Sequence, residues 1–199
     1  MSGRMGSDSA SRRVIVIAAS TGGPRALGEL VPKLPAPLGA GTVIVQHLPS
    51  GFTAPLARRL DKAARLRVRE AGDGDLLDPR VALLAPGGAH LRLTAAGMTA
   101  ISDAPEVGGL RPRADLTIAD AARAFGERTV LVVLTGMGND GLEGAGEVRR
   151  RGGRVLVEAE STCTVYGMPR AVEEAQLADI VLPLGELPAA IAAAAGASA

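Results

Sequence analysis

The chain predicts an α/β domain: a doubly wound, mostly parallel sheet with an antiparallel hairpin section at residues 67–104. Three observations carry that expectation. Apolar runs without polar alternation recur along the chain, as strands covered on both faces require. Helical patterns separate them, so strand and helix alternate. Between residues 67 and 104 the rhythm breaks into short runs punctuated by "GDGD", "PGG" and "AG", the signature of turns between short strands.

The buried strands are read at 14–19 ("VIVIAA"), 42–47 ("TVIVQH"), 130–135 ("VLVVLT"), 155–159 ("VLVEA") and 179–184 ("DIVLPL"). Pro24 suits the first position of a helix running to about Val31, because its missing N–H would be unpaired there anyway. Thr53 is placed to cap "APLARRLDKAARL". The stretches 114–125 and 142–150 carry apolar residues three and four apart, the spacing of one helical face. In the middle section "RVRE", "VALLAP", "HLRLTAA" and "MTAISDA" read as short strands, with Ala96-Gly97 as a tight hairpin turn. Residues 1–12 are small and polar and are expected to be disordered, and residues 13–195 to form one domain ending in an alanine-rich helix that frays.

Composition removes several function classes. Lys plus Arg number 22 against 21 Asp plus Glu, a net charge of +1, and the aromatics are one Tyr and two Phe. Neither a basic footprint nor a stacking platform for nucleic acid is present. One cysteine, Cys163, and two histidines leave almost no material for a disulfide or a zinc cluster. The first residues lack the apolar core of a signal peptide and no run approaches a membrane span. A soluble, reducing, cytoplasmic setting is expected, without membrane insertion.

In open α/β sheets function gathers at the carboxyl ends of strands. Ser20 follows "VIVIAA", His47 closes "TVIVQ", and Asp140 follows "VLVVLTGMGN". A hydroxyl, an imidazole and a carboxylate are the parts of a nucleophilic triad, in which the imidazole takes the hydroxyl proton and the carboxylate orients the imidazole. Each residue alone has a plainer reading. Ser20 could cap the helix at Pro24, or sit in a phosphate cradle, although "STGGP" lacks the Gly-Lys-Ser/Thr ending of such a loop. His47 could be a satisfied strand-end histidine, and Asp140 could cap a helix starting near Gly141. The order Ser, His, Asp differs from the Ser, Asp/Glu, His order of the α/β-hydrolases, and "AASTG" lacks their first elbow glycine. Any triad here is a separate solution.

Five blocks, "ASTGGP", "QHLPSGFTAPLARRL", "EAGDGDLLDPRVALLAPGGAHLRL", "LTGMGNDG" and "TCTVYGMPRA", resemble the catalytic domain of the chemotaxis protein-glutamate methylesterases, in that family's order and from about Val14 to Leu184. The resemblance implies Ser20 as nucleophile, His47 as general base and Asp140 as orienting carboxylate, with backbone oxyanion donors at Thr21 and Met137. It implies a glutamate γ-methyl ester on the cytoplasmic helices of a methyl-accepting chemoreceptor as substrate, deamidation of certain glutamines as a second activity, and no metal or organic cofactor. Two departures stand out. "RPRAD" places Arg113 where the family usually has serine, and Glu158-Ala159 replaces a common Gln-Asp pair. Arg113 is therefore a candidate substrate contact, as are Arg58 and Arg59, which could otherwise be ordinary solvated helix charges. His90 begins a strand after "APGG" and is the less suited base; Cys163 reads as a buried thiol.

The family's usual N-terminal receiver domain of about 120 residues has no counterpart in residues 1–13. The expectation is an open site, active without a phosphodonor. Two functions of other classes compete: a non-catalytic adaptor of the same fold docking on receptor or kinase partners, and a nucleotide-binding regulator using the glycine-rich strand ends. Intact Ser20, His47 and Asp140 argue against the first. Neither the receptor nor the oligomeric state is legible.

Overall fold

The computed structural model describes residues 12–196, so residues 1–11 of the segment expected to be disordered lie outside the described residues. In chain order the elements are β1 (Val14–Ala19), α1 (Gly23–Leu30), β2 (Gly41–Gln46), α2 (Thr53–Asp61), β3 (Arg67–Glu70), β4 (Val81–Leu84), β5 (His90–Leu93), β6 (Thr99–Ser102), α3 (Ala114–Phe125), β7 (Thr129–Val133), α4 (Leu142–Arg150), β8 (Arg154–Glu158), α5 (Met168–Glu174), β9 (Ile180–Leu182) and α6 (Leu187–Ala195). Seven strands form one sheet in the order β3-β4-β2-β1-β7-β8-β9. Every neighbouring pair in it is parallel.

The uninterrupted apolar runs explain this architecture. All six residues of β1 are buried, and alternate side chains serve opposite faces. Ile15 and Ile17 pack with Ala26, Leu27 and Leu30 of α1, Leu56 and Leu60 of α2, and Leu187 and Ile191 of α6. Val14 and Val16 pack with Ile118 of α3, Val148 of α4 and Val172 of α5. Each fully buried Ile or Leu contributes about 2 kcal/mol, so the two layers hold the central strands rigidly. No helix among the described residues is long and apolar enough to cross a membrane.

Two local expectations change. The antiparallel section contracts to β5 and β6, which pair from His90↔Ser102 to Leu93↔Thr99; Gly97, at φ +74°, closes their turn. The preceding runs, β3 and β4, instead extend the main sheet as parallel strands. Their connection, residues 71–80, contains no helix, so no helical pattern betrays a crossover. Thr53 does not cap α2. Its hydroxyl donates to Glu70 Oε1 and accepts from the Gly87 N–H at 2.9 Å, tying the helix start to β3 and to the "APGG" turn.

Candidate active site

From β1 the chain builds the sheet outward through β2 and β4, then returns to β7 on the other side of β1. α1 and α4 consequently cover opposite faces, and a crevice opens at the carboxyl ends of β1 and β7. Register places the side chains. Ala19 pairs with Gln46, so Ser20 and His47 leave the sheet side by side. The Ser20 N–H donates to Thr135 O at 3.0 Å and the His47 N–H to Ala19 O at 3.1 Å. A cleft of about 360 Å³ forms there, lined among others by Ser20, Thr21, His47, Arg113, Met137 and Asp140.

His47 Nε2 lies 2.7 Å from Asp140 Oδ2. The carboxylate is buried and also accepts the N–H groups of Ala114 at 2.7 Å and Asp115 at 2.9 Å. Burial alone would push its pKa up, but His47 and these two N–H groups outweigh burial and hold it below the ordinary aspartate range. An ionised carboxylate can only accept, so Nε2 carries the proton and Nδ1 keeps the lone pair of a base. Ser20 Oγ has no hydrogen-bond partner among the described residues.

Asp140 does not cap its own helix. The two N–H groups it accepts open α3, whereas Gly141, at φ +101°, begins α4 without a side-chain cap. The caps are exchanged: Asp115, in the first turn of α3, accepts the Gly141 and Gly144 N–H groups, both at 2.8 Å, through Oδ1. Arg113 joins the two acids, with Nη2 2.7 Å from Asp115 Oδ2 and Nε 2.9 Å from Asp140 Oδ1.

Burial, reinforced by the neighbouring Asp140 charge, pushes Asp115 up to about 6 against the opposing Gly144 N–H and Arg113. A carboxyl that holds its proton more tightly folded than unfolded loses stability as pH rises between the two titrations. Asp115→Asn keeps an acceptor oxygen for both α4 N–H groups and abolishes that loss. Its melting temperature relative to wild type should therefore climb from about pH 4 to about pH 7 and level off above. A difference independent of pH in thermal melts would refute this.

The Ser20 turn is held from below. Gln46, buried at the end of β2, donates from Nε2 to Ser20 O at 2.9 Å and to His47 O at 3.1 Å, joining Ser20 and His47 through their main chains. Thr135 donates its hydroxyl to Thr21 O at 2.9 Å and accepts the N–H groups of Thr164 and Val165; its own N–H rests on the buried Glu158 Oε2 at 2.8 Å. Gly22 has φ +83°, and a Cβ there would meet Thr164 Cβ at 2.4 Å. At Gly136 a Cβ would lie 2.8 Å from Ser20 Cβ and 2.3 Å from Met168 Sδ. Replacing Gln46 by Leu leaves two carbonyls without this donor. The expected result is about a tenfold fall in kcat and a loss of about 1–2 kcal/mol in chemical denaturation; unchanged kcat would dismiss the clamp.

The Thr21 and Met137 N–H groups have no protein acceptor among the described residues. Met137 is 74% exposed and stands at the cleft rim. Arg113 lines the cleft, but its guanidinium faces the two acids rather than solvent. Arg59 donates to Pro24 O at 2.8 Å beside an apolar hollow walled by Leu48, Phe52 and Pro55, and Arg58 is exposed on the same helix. His90 is buried and fully engaged, donating through Nε2 to Pro105 O at 3.1 Å and accepting the Arg113 N–H on Nδ1 at 3.2 Å. The half-buried Cys163 thiol is raised to about 12, mainly by burial and the Glu158 charge, so it supplies no thiolate.

Asp115, Gln46 and Thr135 act through main-chain contacts that sequence spacing does not reveal. The only local signal is polarity: Gln46, directly before His47, and Thr135 end apolar runs.

The protein-family model for CheB methylesterase matches residues 15–191. A protein-glutamate methylesterase/protein-glutamine glutaminase of Symbiobacterium thermophilum is 46% identical over 95% of this chain and 52% of its own length. Its namesake from Moorella thermoacetica is 50% identical over 90% of this chain and 43% of its own length. The chain thus spans about half the length of these curated relatives. The crystal structure of the Thermotoga maritima CheB methylesterase catalytic domain superposes with a TM-score of 0.88 at 42% identity, covering 91% of this chain and 97% of that one. The sequence, strand order and site agree with this match, and the chain belongs to the CheB methylesterase family.

Proposed function

We propose that this chain hydrolyses glutamate γ-methyl esters, and deamidates glutamines, on the cytoplasmic helices of a chemoreceptor. The observation that supports this best is the convergence of Ser20, the His47–Asp140 pair and two unpaired backbone N–H groups in one cleft. Relatives of this chain carry both activities in their names.

Ser20 Oγ attacks the side-chain carbonyl while Nδ1 of His47 takes its proton. Negative charge then develops on the carbonyl oxygen, where the Thr21 and Met137 N–H groups and the start of α1 stabilise it. Collapse releases methanol, or ammonia from glutamine, with the proton returned by His47. Water, deprotonated by the same nitrogen, then attacks the glutamyl ester and frees Ser20 and the glutamate product. Asp140 holds the imidazole throughout and steadies its positive charge. Arg58 and Arg59, on the exposed side of α2, face outward where an acidic receptor helix could meet them, Arg59 while it also donates to Pro24 O. The test is methanol release from methylated receptor fragments, wild type against Ser20→Ala. Equal release by both proteins would end the proposal.

A further inference from the structure

Hydrolysis by Ser20, His47 and Asp140 gives no work to Arg113, yet few side chains here are held so firmly. Its side chain is 13% exposed and contacts both Asp115 and Asp140. Its N–H is fixed on His90, which is itself anchored to Pro105. A Cβ at Gly108 would come within 2.7 Å of Nη1, so the loop backbone closes over the outer side of the guanidinium. Swinging out to a substrate would leave two buried carboxylates side by side without their cation.

We propose that Arg113 is a positioning residue for the hydrolysis proposed above: it grips Oδ1 of Asp140, presents Oδ2 to His47, and neutralises Asp115 so that this second acid can stand beside the triad. The inference rests on the triad reading of the site. Reaching two acids from one rigid plane, Nη2 toward Asp115 and Nε toward Asp140, suits a guanidinium and not a lysine ammonium. Other charged groups around Arg113 are Glu143 on α4, which acts on it at longer range, and Glu106 and Arg111 in the loop lining the neighbouring hollow beside His47. Arg111 itself turns to the carbonyls of Asp103 and Ala104. Among the described residues, Arg113 is the one arginine or lysine in contact with Asp140.

The sign follows from charge. A fixed cation beside the pair disfavours protonated His47, and Asp115, once ionised above about 6, favours it. Arg113→Met should raise the His47 titration midpoint and move the rising limb of the pH–activity curve the same way, by about one unit. Asp115→Asn should move both in the opposite direction while keeping both α4 contacts on its remaining oxygen. Arg113→Lys should restore the midpoint but only part of kcat.

With two histidines in the chain, the imidazole signals can be followed by proton NMR without substrate and assigned with His47→Gln. Activity is measured as methanol release. Arg113→Met should lower kcat about tenfold at neutral pH and leave KM within about twofold. A raised KM with kcat intact would make Arg113 a substrate contact and overturn the proposal. A lower kcat with an unmoved His47 midpoint would reduce it to a structural brace, which also overturns it. Ser20→Ala, run alongside, separates the two levels: if it retains activity, the triad reading fails; if it is inert and His47 ignores Arg113, only this inference fails.

Discussion

Ser20→Ala and His47→Ala should each lower ester hydrolysis by about 10⁴-fold or more, and combining them should lower it hardly further. On the proposed mechanism nucleophile and base act in one step, so removing either would leave the other without a task. Ser20 and His47 leave adjacent strands in register and line the same cleft. Ser20→Ala should also fold normally, within about 0.5 kcal/mol of wild type, because Ser20 Oγ makes no hydrogen bond among the described residues that the change would break. Losses that multiply in the double variant would show that the two residues work independently.

Asp140 should behave differently, because on the proposed mechanism it would serve catalysis as well as the fold. Asp140→Ala should lose activity on a scale comparable to Ser20→Ala and also lose about 3–5 kcal/mol of stability. It removes the acceptor of the Ala114 and Asp115 N–H groups and leaves Arg113 facing a single acid. Asp140→Asn separates the two effects. One oxygen remains as an acceptor, so the stability loss should be about half as large. The new amide donates where Oδ2 accepted, which favours the wrong imidazole tautomer and still removes most activity. Urea denaturation and methanol release on the same preparations would check both. An Asp140→Ala protein as stable as wild type would contradict the exchanged caps.

Much of this arrangement was legible in residue order. Apolar runs without alternation announced the central parallel strands, and polar residues ending those runs pointed to Ser20 and His47. β3 and β4 were harder to place, because strands of four residues with partly exposed side chains look alike in edge, hairpin and crossover settings. The capping of α3 and α4 was hidden for a different reason. Asp140 sits where a local cap would be expected and Asp115 lies inside the first turn of α3, yet each serves the other helix across a sequence gap of about 25 residues. Local rules describe a residue's neighbours in the chain, and these contacts belong to tertiary structure. The same holds for Arg113: the sequence marks it as unusual, and only its two carboxylates show what it holds.

The exchanged caps also bear on how the domain assembles. Neither α3 nor α4 has a complete first turn until the other is docked, so their amide protons at Ala114, Asp115, Gly141 and Gly144 should exchange with solvent as one cooperative unit. β1, β2 and α1 can bring Ser20 and His47 together earlier in the chain. The imidazole, however, has no carboxylate to orient it until β7 has joined β1 and α4 has closed onto α3. A nascent chain therefore sets Ser20 beside His47 before it can form the His47–Asp140 pair. On the proposed mechanism, competence would wait until β7 has joined β1 and α4 has closed onto α3, so a half-folded molecule would not yet cleave esters.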